Sequence, residues 1–139
     1  MGHDITAWNG NVDLDNLREQ YKIDDWGAED WGKRYKAYCE QAQIAYNRRA
    51  AWNPLNRALY DALGVVEEAY GGCSGLGVEL DITLEMLQIG LQRLQNEEFI
   101  GITHDDKEDR DVSQEITFIT NCINFLEKNE LPSLKVSFG

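Results

Sequence analysis

Between Val112 and Phe138 the spacing of apolar residues changes period once. Val112, Ile116, Ile119, Ile123 and Leu126 recur at three- and four-residue steps, the stripe of an amphipathic helix. After Pro132, Leu134, Val136 and Phe138 alternate with Lys135 and Ser137, as in a half-buried strand. A helix and a strand that each have one apolar face must share a core, so the pattern points to an α+β fold. Asp111 followed by Gln114 fits a capping box and places the helix start there.

The rest of the chain supplies partners for that pair. HDITAWN, residues 3–9, sets Ile5 and Ala7 against polar neighbours and runs into the turn signal Asn9-Gly10, which predicts a first strand. Residues 11–32 are punctuated by Gly27 and Gly32 and predict only short helices. A helix is predicted from Lys33; residues 43–49 read either as its continuation or as a strand, and the alternation of Ile44 and Tyr46 favours the strand. Asn53-Pro54 signals another helix start, with Leu55, Leu59 and Leu63 on one face and Gly64 as its stop. A strand is expected over Val78 to Leu80. Thr83 can cap a helix bearing Leu84, Leu87, Leu91 and Leu94, and EFIGIT is a candidate brief strand. The expectation is one domain over 1–139: a small, mostly antiparallel sheet covered by about three main helices.

Composition narrows the class of function. The chain of 139 residues is long enough to bury a real core, and no apolar run approaches a membrane span. Its first residues lack the apolar run of a secretory signal, and its three cysteines, Cys39, Cys73 and Cys122, form no paired motif, so a cytoplasmic setting is expected. A net charge of −12 disfavours nucleic acid as a partner. The charge is uneven. From Lys33 to Arg57 six basic residues face the single acid Glu40, a local balance of +5, and the remainder stands at −17.

The stretch GGCSGLG, residues 71–77, is the candidate site loop. A P-loop requires a Lys directly after the last glycine, and none follows Gly77 until Lys107. Gly71-Gly72-Cys73-Ser74-Gly75 matches a G-x-C-x-G elbow, which would need His3 or His104 beside Cys73. Without a catalyst, Cys73, Ser74, Gly75 and Gly77 can still turn backbone N–H groups toward an anion. Arg48, Arg49 and Arg57 are candidate phosphate ligands, and Tyr46, Trp52 and Tyr60 candidate stacking surfaces for a base. Against this stand a plain glycine turn and solvated surface arginines. Asn11, Asp13 and Asp15 copy the start of a calcium loop, but Asn16 and Lys22 break the pattern, and the acidic run 104–111 has no ligand spacing. His3 beside Asp4 reads as a hydrogen-bonding pair at a strand start. No metal or cofactor is expected.

MGHDI at the start, IAYNRRA, NPLNRALYDAL, GGCSGLG, NCINFLEKN and the final FG together resemble an uncharacterised family of small bacterial and phage proteins. Relative to that shorter pattern, residues 11–41 read as an insertion. The resemblance implies an order of elements and assigns no function. From the glycine loop and the basic aromatic segment, the expected function is non-enzymatic binding of a small anionic, nucleotide-like ligand, with sequestration of a host-defence nucleotide signal as the phage-type form of that role. The alternative is an acidic interaction module or nucleic-acid mimic that occupies a basic partner such as a nuclease. A homo-oligomer is a further candidate assembly. A Cys73 hydrolase comes third.

Overall fold

The computed structural model describes residues 2–50, 53, 55–70, 77–98 and 111–139. Among the described residues ten elements follow in chain order: β1 (Gly2–Trp8), α1 (Leu14–Gln20), α2 (Trp31–Ala42), β2 (Gln43–Ala50), α3 (Leu55–Leu63), α4 (Val66–Tyr70), β3 (Val78–Thr83), α5 (Leu84–Gln95), α6 (Ser113–Asn129) and β4 (Ser133–Phe138). The strands form one fully antiparallel sheet in the order β2-β1-β4-β3. The chain is α+β.

Alternation along each strand sends one set of side chains to a helix-covered face and the other to an open face. Val78, Phe138, Ile5 and Asn47 lie in register across all four strands on the covered face. Glu79, Ser137, Thr6 and Tyr46 form the next row, on the open face. The main core joins the covered face to α3, α5 and α6, with Leu59, Leu87, Phe118 and Leu126 among its fully enclosed side chains. Three helices therefore do most of the covering.

Local signals fix the element ends. Asn53 Oδ1 accepts from the Leu55 N–H at 2.9 Å, and α3 stops at Gly64, where the Val65 N–H returns to the Tyr60 carbonyl at 2.9 Å. Thr83 Oγ1 accepts from the Met86 N–H and caps α5. Asp13, read above as a broken calcium loop, instead caps α1 by accepting from the Asn16 N–H. At α6 the expected capping box does not close. Asp111 Oδ1 accepts from the Ser113 N–H, whereas the Gln114 amide donates across to the Arg48 carbonyl at 2.9 Å, because β2 packs directly against this helix start. The helix predicted from Lys33 begins at Trp31, and α4 was not anticipated.

Residues 11–42 carry a second, smaller core. Leu17, Ile23, Tyr38 and Ala42 are buried together, with Trp8, Val12, Leu14, Tyr21 and Cys39 packed around them. Trp8 belongs to β1, so this unit is anchored to the open face of the sheet. Among the described residues no helix is long and apolar enough to cross a membrane.

Candidate functional site: a buried polar cluster at the sheet end

Arg48 and Arg49 are adjacent on β2 and therefore point to opposite faces. In register, Arg49 pairs with His3 and Arg48 with Asp4. On the covered face Arg49 grips Glu115 of α6 in a fork, Nε to Oε2 at 2.6 Å and Nη2 to Oε1 at 2.7 Å, and Nη2 also donates to the Asp111 carbonyl at 3.0 Å. Asn47 Nδ2 donates to the same Glu115 carboxylate at 3.1 Å. Glu115 is fully enclosed, at 0 % exposure, so these charge-assisted bonds are what compensates its loss of water.

Around this ion pair lies a set of polar side chains with unused capacity. The ring of His3 meets that of Tyr60 edge-on at 5.5 Å, and Tyr60 in turn stands edge-on to Phe138 at 5.3 Å. Asn56, one helical turn before Tyr60 on α3, donates its Nδ2 to the Ala50 carbonyl at 3.0 Å. His3, Asn47, Asn56 and Tyr60 are all buried. His3 Nε2, Asn47 Oδ1, Asn56 Oδ1 and the Tyr60 hydroxyl nevertheless have no hydrogen-bond partner among the described residues. The two amides cannot relieve this by flipping, because their nitrogens already face groups that only accept, a carboxylate and a carbonyl. Burial lowers the His3 pKa below its ordinary value, partly offset by the Asp4 charge, so the ring is held neutral.

The cluster thus offers two acceptors, the amide oxygens, and two groups able to donate or accept, the phenol and the imidazole. Its one cation is neutralised by its one anion. Gly77 enters β3 at the same end of the sheet, since Val78 pairs with Phe138, the ring under Tyr60. Gly77 has φ +51, in the left-handed region that glycine tolerates without strain.

The sequence-derived site residues divide between the two faces. Arg49 and Tyr60 lie in the buried cluster, Arg49 spent on Glu115 and Tyr60 presenting its ring edge-on within the core. Neither is therefore placed as expected, as a phosphate fork or a stacking platform. Arg48 and Tyr46 lie on the open face. There Arg48 Nη1 is 3.4 Å from Asp4 Oδ1 and the Tyr46 hydroxyl donates to the same carboxylate. Burial first, and then that bond to Asp4, raise the Tyr46 pKa. Arg57 is exposed on α3. Trp52, Cys73, Ser74 and Gly75 lie outside the described residues, as do Pro54, His104, nearly all of EFIGIT and most of the acidic run. His3 and Asp4 face opposite sides of β1, which corrects the reading of them as a bonded pair.

Asn47, Asn56 and Glu115 escaped the sequence reading and His3 entered it only as a partner for Cys73 or Asp4, yet each left a trace. His3 shares its strand face with Ile5 and Ala7, and Glu115 stands on the same stripe as Ile119, Cys122 and Leu126. Asn47 shares its strand face with Ala45, and Asn56 precedes Tyr60 by four. Polar residues at core positions were the signal. Comparison of this chain with protein-family models, with curated proteins and with solved structures finds no match. Among the described residues no group of three His, Cys, Asp or Glu side chains is arranged to hold a metal ion.

Proposed function

We propose that this protein is a non-enzymatic binder of a small, nucleotide-like ligand, held at the sheet end where β1 begins and β2 finishes. The supporting observation is the group of four buried polar atoms on His3, Asn47, Asn56 and Tyr60 that have no hydrogen-bond partner among the described residues. Each such atom costs about 1–3 kcal/mol when left unsatisfied, and a domain's whole net stability is only about 5–15 kcal/mol. An occupant that supplies both donors and acceptors removes that cost. The edge of a nucleobase has this alternation, and the neutral Arg49–Glu115 pair suits the uncharged part of such a ligand. The anionic part then belongs toward solvent, where Arg57, the residue after Asn56, and Gly77 at the entry to β3 are the candidate contacts. In the setting of the bacterial and phage resemblance, the role is sequestration of a nucleotide signal.

Thermal melting with a panel of mononucleotides, dinucleotides and cyclic nucleotides tests this reading. A ligand at a hundredfold excess over its dissociation constant stabilises the fold by about 2.7 kcal/mol, a shift of several degrees. Tyr60→Phe keeps the ring contacts with His3 and Phe138 and removes only the hydroxyl, so it should fold normally and lose most of the shift. A cluster filled by water alone gives no shift with any member at millimolar concentration and low salt, and that result overturns the proposal.

A second reading, an acidic interaction module, draws support from how the positive segment is used. Of its six basic residues, Arg34 pairs with Asp30, Arg48 with Asp4 and Arg49 with Glu115. Much of the local positive charge is consumed internally, and the net −12 is left to face a basic partner.

A further inference from the structure

On the face of the sheet opposite the polar cluster, β3 and β4 meet the small core of residues 11–42 across a groove of about 500 Å³. One wall is apolar, with Trp8, Val12 and Leu14 partly exposed. Trp8 is held in place because its indole Nε1–H donates to Ser137 Oγ at 2.8 Å. The other wall carries Glu79 and Asp81, two residues apart on β3 and so on one face, and Asp15 adds a third carboxylate from α1.

We propose that this groove receives a lysine or arginine side chain from a basic segment of a protein partner. Lys135 already shows what the carboxylates attract. Its ammonium stands 3.4 Å from Asp81 and 3.9 Å from Glu79, so one cation is shared loosely between two anions. Arg18 also lines the groove, but its guanidinium is already engaged by Asp24 at 2.7 Å and by the Tyr38 side chain. A second cation therefore finds uncompensated carboxylate oxygens. The apolar wall meanwhile covers the aliphatic stem that lysine and arginine carry behind the charge, with the Trp8 ring available to a guanidinium. A small metal ion or an anion would make no use of that wall.

This assigns a purpose to residues 11–41. Without α1 and its approach, the open side of β3 and β4 would be a flat charged surface, on which each exposed pair contributes little. With it, charge and apolar area converge on one cationic side chain. The surface lies on the opposite face from the His3–Tyr60 cluster, and its use does not depend on nucleotide binding.

An oligoarginine peptide, titrated into the full chain at low and moderate salt, is the test. Glu79→Gln combined with Asp81→Asn should weaken binding at least about fivefold, the scale expected for two partly exposed carboxylates. Asp15→Asn reads the same groove without touching the sheet and should weaken it in the same direction. Glu67→Gln with Glu68→Gln, on α4 on the helix-covered side, removes the same charge elsewhere and should leave the affinity near wild type. Equal losses in the groove and α4 variants would mean general attraction to an acidic protein and would overturn the assignment, as would no binding at low salt. All four acidic side chains substituted in the paired variants are exposed, so unchanged melting confirms that folding is not the cause.

Discussion

Arg48 and Arg49 are neighbours in the chain and lie on opposite faces of the sheet, one sharing Asp4 with Tyr46 near solvent and the other clasping the fully buried Glu115. That divergence is the simplest consequence of strand geometry, and it decides what each arginine can do. A guanidinium with 17 % side-chain exposure, gripped by a carboxylate with none, is a structural element. One with 58 % exposure is open to exchange its partner.

Removing Glu115 should therefore be costly. Glu115→Ala leaves the Arg49 charge nearly buried and unpaired, and the expected loss is about 3–5 kcal/mol in a urea titration. Arg48→Ala should lower the urea midpoint far less, because its ion pair with Asp4 is exposed and screened. Equal effects of the two substitutions would contradict the placement of the arginines. Replacing both members of the buried pair, as Arg49→Met with Glu115→Leu, should recover much of what Glu115→Ala loses.

Much of this architecture was legible in the sequence. The helix at residues 113–129, the closing strand and the caps at Asn53 and Thr83 follow from local periodicity and side-chain chemistry, which act within a few residues. At Gln43–Ala50 periodicity favoured a strand over a continued helix, but Arg48 and Arg49 were grouped as ligands of one phosphate, and strand alternation separates them. What could not be read was the meeting of His3, Asn56 and Glu115, which are distant in sequence and come together only when β1, α3 and α6 pack. Net charge by segment misled for the same reason. The positive window counts arginines whose partners, Asp4 and Glu115, lie outside it.

Burial of His3 makes stability depend on pH in a defined direction. Its folded pKa lies below the ordinary 6.5, so the unfolded chain binds a proton more readily than the folded one. This contribution is fully present above about pH 6.5 and is lost as pH falls through the lowered folded value. Urea midpoints at several pH values, compared with His3→Gln, isolate it. The wild type should lose more stability than the variant on acidification below neutrality. Parallel curves would show that His3 is not held neutral.

Ile119 tests the stripe on which Glu115 stands. It is fully enclosed, and Ile119→Ala should destabilise by about 2–5 kcal/mol through lost transfer energy and the cavity left behind. A negligible change in the urea midpoint would mean that this face of α6 is not core.

Gly77 marks the entry to β3 with a positive φ. Gly77→Val places a β-branched side chain in a conformation it rarely adopts, a strain of roughly 1–3 kcal/mol. Lower melting temperature is expected for Gly77→Val and a smaller drop for Gly77→Asn, since asparagine tolerates the left-handed region better. Identical melting of all three proteins would remove the turn from the account.

The most direct test of ligand entry into the polar cluster is the imidazole signal of His3 in nitrogen-15-labelled protein, with His104→Gln used to assign it. During titration with mononucleotides, dinucleotides and cyclic nucleotides, at least one should move the His3 ring resonances, because the unpartnered Nε2 gains a hydrogen bond. If the protein stays folded and no member of the panel at millimolar concentration displaces those resonances, the cluster is not a ligand site.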